Sequence, residues 1–198
     1  MAKIKLTKNE LKKQKDALKR FLRYLPTLVL KKQQLQLEIR KVESLQAERM
    51  RQKEALLKGL KEWIAVFGEE IGLENLVKIE SVVTAAGNIA GVDIPLFERV
   101  DFQTSSYDLF RVPLWADAAV EMIRKVSAVD AEIRVLDEQI RLLGEELRIT
   151  TQRVNLFEKV KIPETKENIR RIQIYLGDEQ TAAVVRGKMA KKKLVRVT

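Results

Sequence analysis

The sequence predicts a mainly α protein: a long antiparallel two-helix coiled coil with a small β-hairpin inserted between the helices. Three observations predict it. Two long segments repeat apolar residues every seven positions. Between them lies a short insert rich in glycine, proline and β-branched residues. Ala, Glu, Lys, Leu and Arg together make up 99 of the 198 residues, which is the composition of long helices. The expected division is 1–67 for the first helix, 68–113 for the insert, and 114–198 for the second helix and a basic tail.

The second helix carries the clearest repeat. One row runs Ala119, Val126, Ile133, Ile140, Leu147, Val154, and a second runs Met122, Val129, Leu136, Leu143, Thr150, Phe157. Eleven of these twelve positions are apolar, Thr150 being the exception. A 3-4 spacing kept over five heptads marks a coiled-coil seam with a left-handed supercoil. A third row, Val135, Leu142, Ile149 and Leu156, lies off the seam. It widens the apolar face beyond what one partner helix covers, so it is either a second docking face or part of a thicker core. After Pro163 the apolar row changes phase, to Ile162, Ile169 and Leu176, and the proline is expected to bend the helix.

The first helix is expected to start near Thr7, with Glu10 three residues on as a capping box. Its seam reads Leu11, Leu18, Leu25, Lys32, Ile39, with Phe21, Leu28, Leu35, Val42 beside it. The row weakens from Gln46 to Lys53, where Arg49 and Lys53 take seam positions, and returns at Leu56, Leu60, Trp63 and Phe67. Pro26 predicts a kink or a restart. In the insert, Val77–Thr84 and Gly91–Phe102 are strand-like, and AAGNIAG between them supplies turn residues. Pro95 favours an edge. Folding the helices back across the insert makes residues face each other where their numbers sum to about 181. Both chain ends then share one end of a rod.

Charge is segregated along the chain. Residues 1–67 hold 18 basic and 7 acidic side chains, residues 68–158 hold 9 and 17, and residues 159–198 hold 11 and 4. The expected result is a positive tip formed by the two basic ends, including Lys188, Lys191, Lys192, Lys193 and Arg196. The chain has no cysteine and no histidine, which rules out disulfides, thiolate metal sites and His-based acid–base catalysis. Gly187-Lys188 is not a phosphate loop, because Ala182 and Met189 stand where that loop needs Gly and Ser or Thr. The carboxylates Asp137, Glu138, Glu145 and Glu146 read as a solvated face. No apolar run reaches the length of a membrane span. The basic runs carry no interleaved aromatics, which argues against nucleic acid and for an acidic protein cavity. No catalytic, cofactor or metal residues are expected.

Residues 150–180, TTQRVNLFEKVKIPETKENIRRIQIYLGDEQ, resemble a hallmark stretch of the D subunit of V-type and A-type ATPases. The matching residues include Thr151, Arg153, Val154, Asn155, Glu158, Ile162, Pro163, Ile169, Ile172, Leu176, Asp178 and Glu179. Gly87–Pro95 is similar to that family's central insert, and Leu25–Glu38 to its first helix in bacterial members. The segment Thr181–Met189 is less charged than the family pattern. The resemblance implies a non-catalytic rotor shaft of a cytoplasmic, membrane-peripheral complex. It turns inside a hexamer of A and B subunits, binds the small F subunit, and passes torque through a socket subunit to a proton- or sodium-translocating ring. The row Val135, Leu142, Ile149, Leu156 then becomes the face for the F subunit. The alternatives are a prefoldin-like chaperone and a coiled-coil adaptor.

Overall fold

A computed structural model describes residues 4–61, 77–104 and 115–197. Helix α1 spans Lys8–Lys61, strands β1 and β2 span Val77–Ile89 and Val92–Thr104, and helix α2 spans Ala116–Asn155. A six-residue π-helix, Leu156–Lys161, follows, and helix α3 spans Ile162–Val197. The protein is thus mainly α, with one antiparallel hairpin between the long helices. The expected boundaries at 67/68 and 113/114 fall outside the described residues, as do Trp63, Phe67 and Pro113.

By contact density the chain forms two compact units. One is Gln33–Arg148; the other joins Met1–Lys32 to Ile149–Thr198. Within the Gln33–Arg148 unit, Leu35, Val42, Ile94, Leu136 and Leu143 form one buried cluster. Leu35 and Leu143 are fully inaccessible. Polar pairs continue the same helix–helix contact: Arg49 Nε donates to Glu132 at 2.8 Å, Lys53 Nζ to Asp130 at 2.5 Å, and Gln46 Nε2 to Asp137. The numbers of Arg49 and Glu132 sum to 181 and those of Lys53 and Asp130 to 183. In the other unit the Phe21 and Phe157 rings lie 5.1 Å apart, a tilted aromatic pair, and their numbers sum to 178. The antiparallel register therefore holds within each unit. The weak stretch of the first seam, Gln46 to Lys53, is where charge replaces apolar contact.

Lys53 sets a pH dependence. Its hydrogen bond is the largest cause holding the Asp130 carboxyl below its ordinary range. A carboxyl with a lowered folded-state pKa stabilises the fold above its unfolded value, and that contribution is lost as pH falls through the folded value. Asp130→Asn should therefore flatten the acid side of the stability–pH curve and leave its shape near neutrality unchanged. Equal acid limbs for the two proteins would show that the pair is not linked to folding.

Helix α1 begins as expected, with Glu10 N–H donating to Thr7 Oγ1 at 3.3 Å and Leu11 N–H to Thr7 O at 3.0 Å. The reciprocal half of the capping box does not form, because Glu10 accepts from Gln14 instead, at 2.9 Å. No restart occurs at Pro26. The helix runs through it unbroken, because the apolar row on either side, Leu25 and Leu28, is half-buried and holds the backbone from outside.

The hairpin is longer than the sequence suggests. AAGNI, residues 85–89, belongs to β1, and only Ala90-Gly91 turns. Both turn residues have positive φ, 53° and 78°, as a two-residue type I′ connection requires. Asn88 serves the turn from the strand, accepting from Gly91 N–H at 3.1 Å and donating to Asp93 at 2.6 Å. Gly87 leaves room for the Leu96 side chain, since a Cβ there would sit 2.7 Å from Leu96 Cδ1 and that exposed side chain would have to turn away. The ladder has two offsetting irregularities, at Ile79/Ser81 and Val83/Thr84. They leave Glu80 and Glu98 without register partners and increase the local twist.

The phase change after Val154 has a structural form. Val154 and Ile162 are both buried and eight residues apart, and half-buried Phe157 and buried Thr165 have the same spacing, where a heptad allows seven. The π-helix absorbs the extra residue, and Ile162 N–H bonds to Phe157 O, five residues back. Pro163 favours this place because its missing N–H already leaves one α-helical bond unmade. Deleting exposed Lys159 should restore seven-residue spacing, remove the π turn and change the melting temperature by only a few degrees. Deleting Arg148 instead shifts every later seam residue and should be far more damaging. A Lys159 deletion as harmful as the Arg148 deletion would contradict the inserted-residue account.

Candidate interaction surface

Among the described residues no group of three or more His, Cys, Asp or Glu converges as metal ligands, and no described helix is long and apolar enough to cross a membrane. Asp137 is exposed and accepts from Gln46, while Glu138 and Glu145 hold Arg141 between them at 2.6 and 2.8 Å. The hydrogen bond from Arg141 keeps the Glu138 carboxyl below its ordinary range. These are helix-surface ion pairs of small energetic value.

Ile133, Leu136, Leu143 and Val154 are buried, and Ile140, Leu147 and Phe157 are half-buried. Thr150, the polar exception, is also buried, at 1% exposure. In the family motif, Val154 and Ile162 point inward, while Arg153, Asn155 and Pro163 are exposed on either side of the π turn.

The off-seam row does not stay together as one open face. Val135 is buried and Leu142 half-buried, because the hairpin lies over this part of α2. Ile89, Ala90, Val92 and Leu142 pack on the cluster that contains Ile94. Gln139, 5% exposed, donates to Pro95 O at 2.6 Å and ties β2 to the helix. Sequence reasoning missed Gln139, since a heptad reading has no place for a third element. Its only signal is an uncharged amide on a helix flank crowded with charges. Beside this tie a groove of about 520 Å³ opens between Ile79, Val82 and Pro95 of the hairpin and Ala131, Arg134 and Val135 of α2. Ile149 and Leu156 remain 37% and 44% exposed, with Val160 at 48%.

The unit that joins the two chain ends concentrates positive charge. Its segments, 1–32 and 149–198, carry 23 basic and 7 acidic side chains, net +16, against 15 and 21 in 33–148, net −6. From Gly177 to Lys193 every residue of α3 is exposed, including Lys188, Lys191, Lys192 and Lys193. No acidic residue occurs after Glu179. Arg196 lies in the last turn of α3. Among the described residues no carboxylate lies within ion-pair reach of Lys188 or Lys191–Lys193. Lysines at a helix C-terminus complement its dipole, so this end is electrostatically stable without a partner and still attractive to one.

Two long seamed helices, a hairpin tied to one of them and a strongly basic chain-end unit define a coiled-coil protein. The chain belongs to the ATP synthase D-subunit family, whose pattern it matches over residues 10–192. It is 50% identical over 196 residues to the V-type ATP synthase D subunit of Borreliella burgdorferi, covering 99% of this chain and 97% of that one. It is 36% identical over 194 residues to the V-type ATP synthase D subunit of Chlamydia caviae, covering 96% and 93%. The protein of that name from Chlamydia trachomatis serovar L2 is likewise 36% identical, over 199 residues that cover 96% of each chain.

Proposed function

We propose that this chain is the non-catalytic central-stalk shaft of a V/A-type rotary ATPase. It couples ATP synthesis or hydrolysis in a hexamer of A and B subunits to proton or sodium movement through a membrane ring. The observation that carries this reading is the net +16 unit built from segments 1–32 and 149–198, with an exposed, acid-free stretch toward the end of α3. Such an end enters an electronegative cavity by long-range attraction and stays centred there without specific contacts. A long seamed pair of helices supplies the stiffness that torque transfer needs.

In this reading the F subunit docks on the second half of the off-seam row, at Ile149 and Leu156. Ile149 and Leu156, exposed with Val160 beside them, supply its apolar contact. Val135 and Leu142 support the hairpin from beneath. A socket subunit links the shaft to the ring, and the complex sits on the cytoplasmic face of the membrane.

Reconstitution from purified parts tests the proposal. The full chain, mixed with A and B subunits, should co-elute as one copy per hexamer, and adding the F subunit should give a four-component complex. Ile149→Asp with Leu156→Asp should abolish binding of the F subunit and spare the hexamer. A chain that stays free of A and B at micromolar concentration would refute the shaft reading.

A further inference from the structure

The apolar seam in the Gln33–Arg148 unit does not by itself fix which residues face each other. Its rows repeat every seven positions, so sliding α1 by one heptad toward the start of α2 keeps apolar side chains in contact. Leu35, which now shares a buried cluster with Leu143, would meet Leu136, and Val42 would meet Val129 in place of Leu136. Both arrangements bury leucine or valine against leucine or valine.

The two ion pairs do not survive that slide. Arg49 would leave Glu132 for Lys125, and Lys53 would leave Asp130 for Ile123. One ion pair becomes a repulsion and the other strands a charge on an apolar neighbour. The side chains involved are only about one-fifth to one-third exposed, so water offsets these losses poorly. Arg134 holds Asp130 from the other side at 2.9 Å and fixes its carboxylate for Lys53.

We infer that Arg49 and Lys53, paired with Glu132 and Asp130, form a register lock that selects one of two apolar-equivalent pairings of α1 and α2. Gln46 takes no part in the selection, because the slide only exchanges Asp137 for Asp130 as its acceptor. The residues that weaken the first seam are therefore its reading frame. Polar groups in a coiled-coil interface serve this purpose elsewhere, lowering stability while excluding competing alignments. The inference does not depend on the proposed function.

Disulfide trapping in the full chain, which has no cysteine of its own, tests it. L35C with L143C reports the native register, and L35C with L136C reports the slid one. The wild-type background should trap the first pair and little of the second. R49E with K53E repels Glu132 and Asp130 and attracts Lys125 in the slid register, so the yield ratio should move about tenfold toward the second pair. The charge-exchanged chain, R49E and K53E with E132R, D130K and R134E, should recover the native ratio. An unchanged ratio in R49E/K53E overturns the lock. Where R49E/K53E traps neither pair, the exchanged chain decides: recovery of the native cross-link supports the lock, and failure to recover it overturns it.

Discussion

Leu143→Ala should destabilise the isolated chain by about 2–5 kcal/mol, the usual range for losing a buried leucine's transfer energy and leaving a cavity. Leu143 has no accessible surface and packs in the cluster of Leu35, Val42, Ile94 and Leu136. That cluster joins α1, β2 and α2, so none of the three can close the hole alone. For a chain of this size each kcal/mol is worth about 2–4 °C in melting temperature. Arg148→Ala, at an exposed position five residues on, should stay within about 0.5 kcal/mol. Urea unfolding followed by circular dichroism compares the two. Leu35→Ala combined with Leu143→Ala should cost less than the sum of the single changes, because both open the same space. Equal unfolding midpoints for Leu143→Ala and Arg148→Ala would remove the basis for the seam assignment.

The features legible in the sequence are those that a single periodicity encodes. Heptads at Leu35, Val42, Leu136 and Leu143 imply a seam, and one seam on each side of a short insert implies an antiparallel pair. The length of the insert gave an expected sum for opposing residue numbers, and Arg49 and Glu132 meet at it. The hairpin was legible for a different reason, its β-branched strands. Its turn was misplaced because Gly87 and Asn88 carry turn chemistry while sitting in β1. Gly87 is there for the close approach of Leu96, and Asn88 reaches forward to the turn through its side chain. Ala90, a poor residue for positive φ, gives no sequence signal for the place where the chain reverses.

Other features depend on a third partner or on a break in the period. The off-seam row Val135, Leu142, Ile149, Leu156 is uniform in sequence, yet the hairpin covers its first half and not its second. Only tertiary structure tells the two halves apart. The eight-residue step from Val154 to Ile162 was visible, but a proline alone suggested a bend. The backbone widens there into a π turn and keeps the same face inward. The basic end was legible because charge needs no partner to be counted.

Reversing Lys191, Lys192 and Lys193 to Glu should slow association with the A–B hexamer by about tenfold or more at low salt, the scale on which steering acts. The change lowers the net charge of the chain-end unit from +16 to +10. All three lysines are exposed, so circular dichroism should show the same helix content. The one structural cost is three anions near the C-terminus of α3, worth a few tenths of a kcal/mol each and confined to its last turns. Salt separates steering from contact. The wild-type rate should fall as ionic strength rises toward about 0.15 M, where charges are screened beyond about 8 Å, while the variant's rate changes little or rises slightly. Dissociation should be affected far less than association, as is usual for charges outside a buried interface. Binding of the F subunit through Ile149 and Leu156 should persist. Wild-type association by the variant at low salt would overturn the guiding role of this end. So would loss of the F subunit with the hexamer retained.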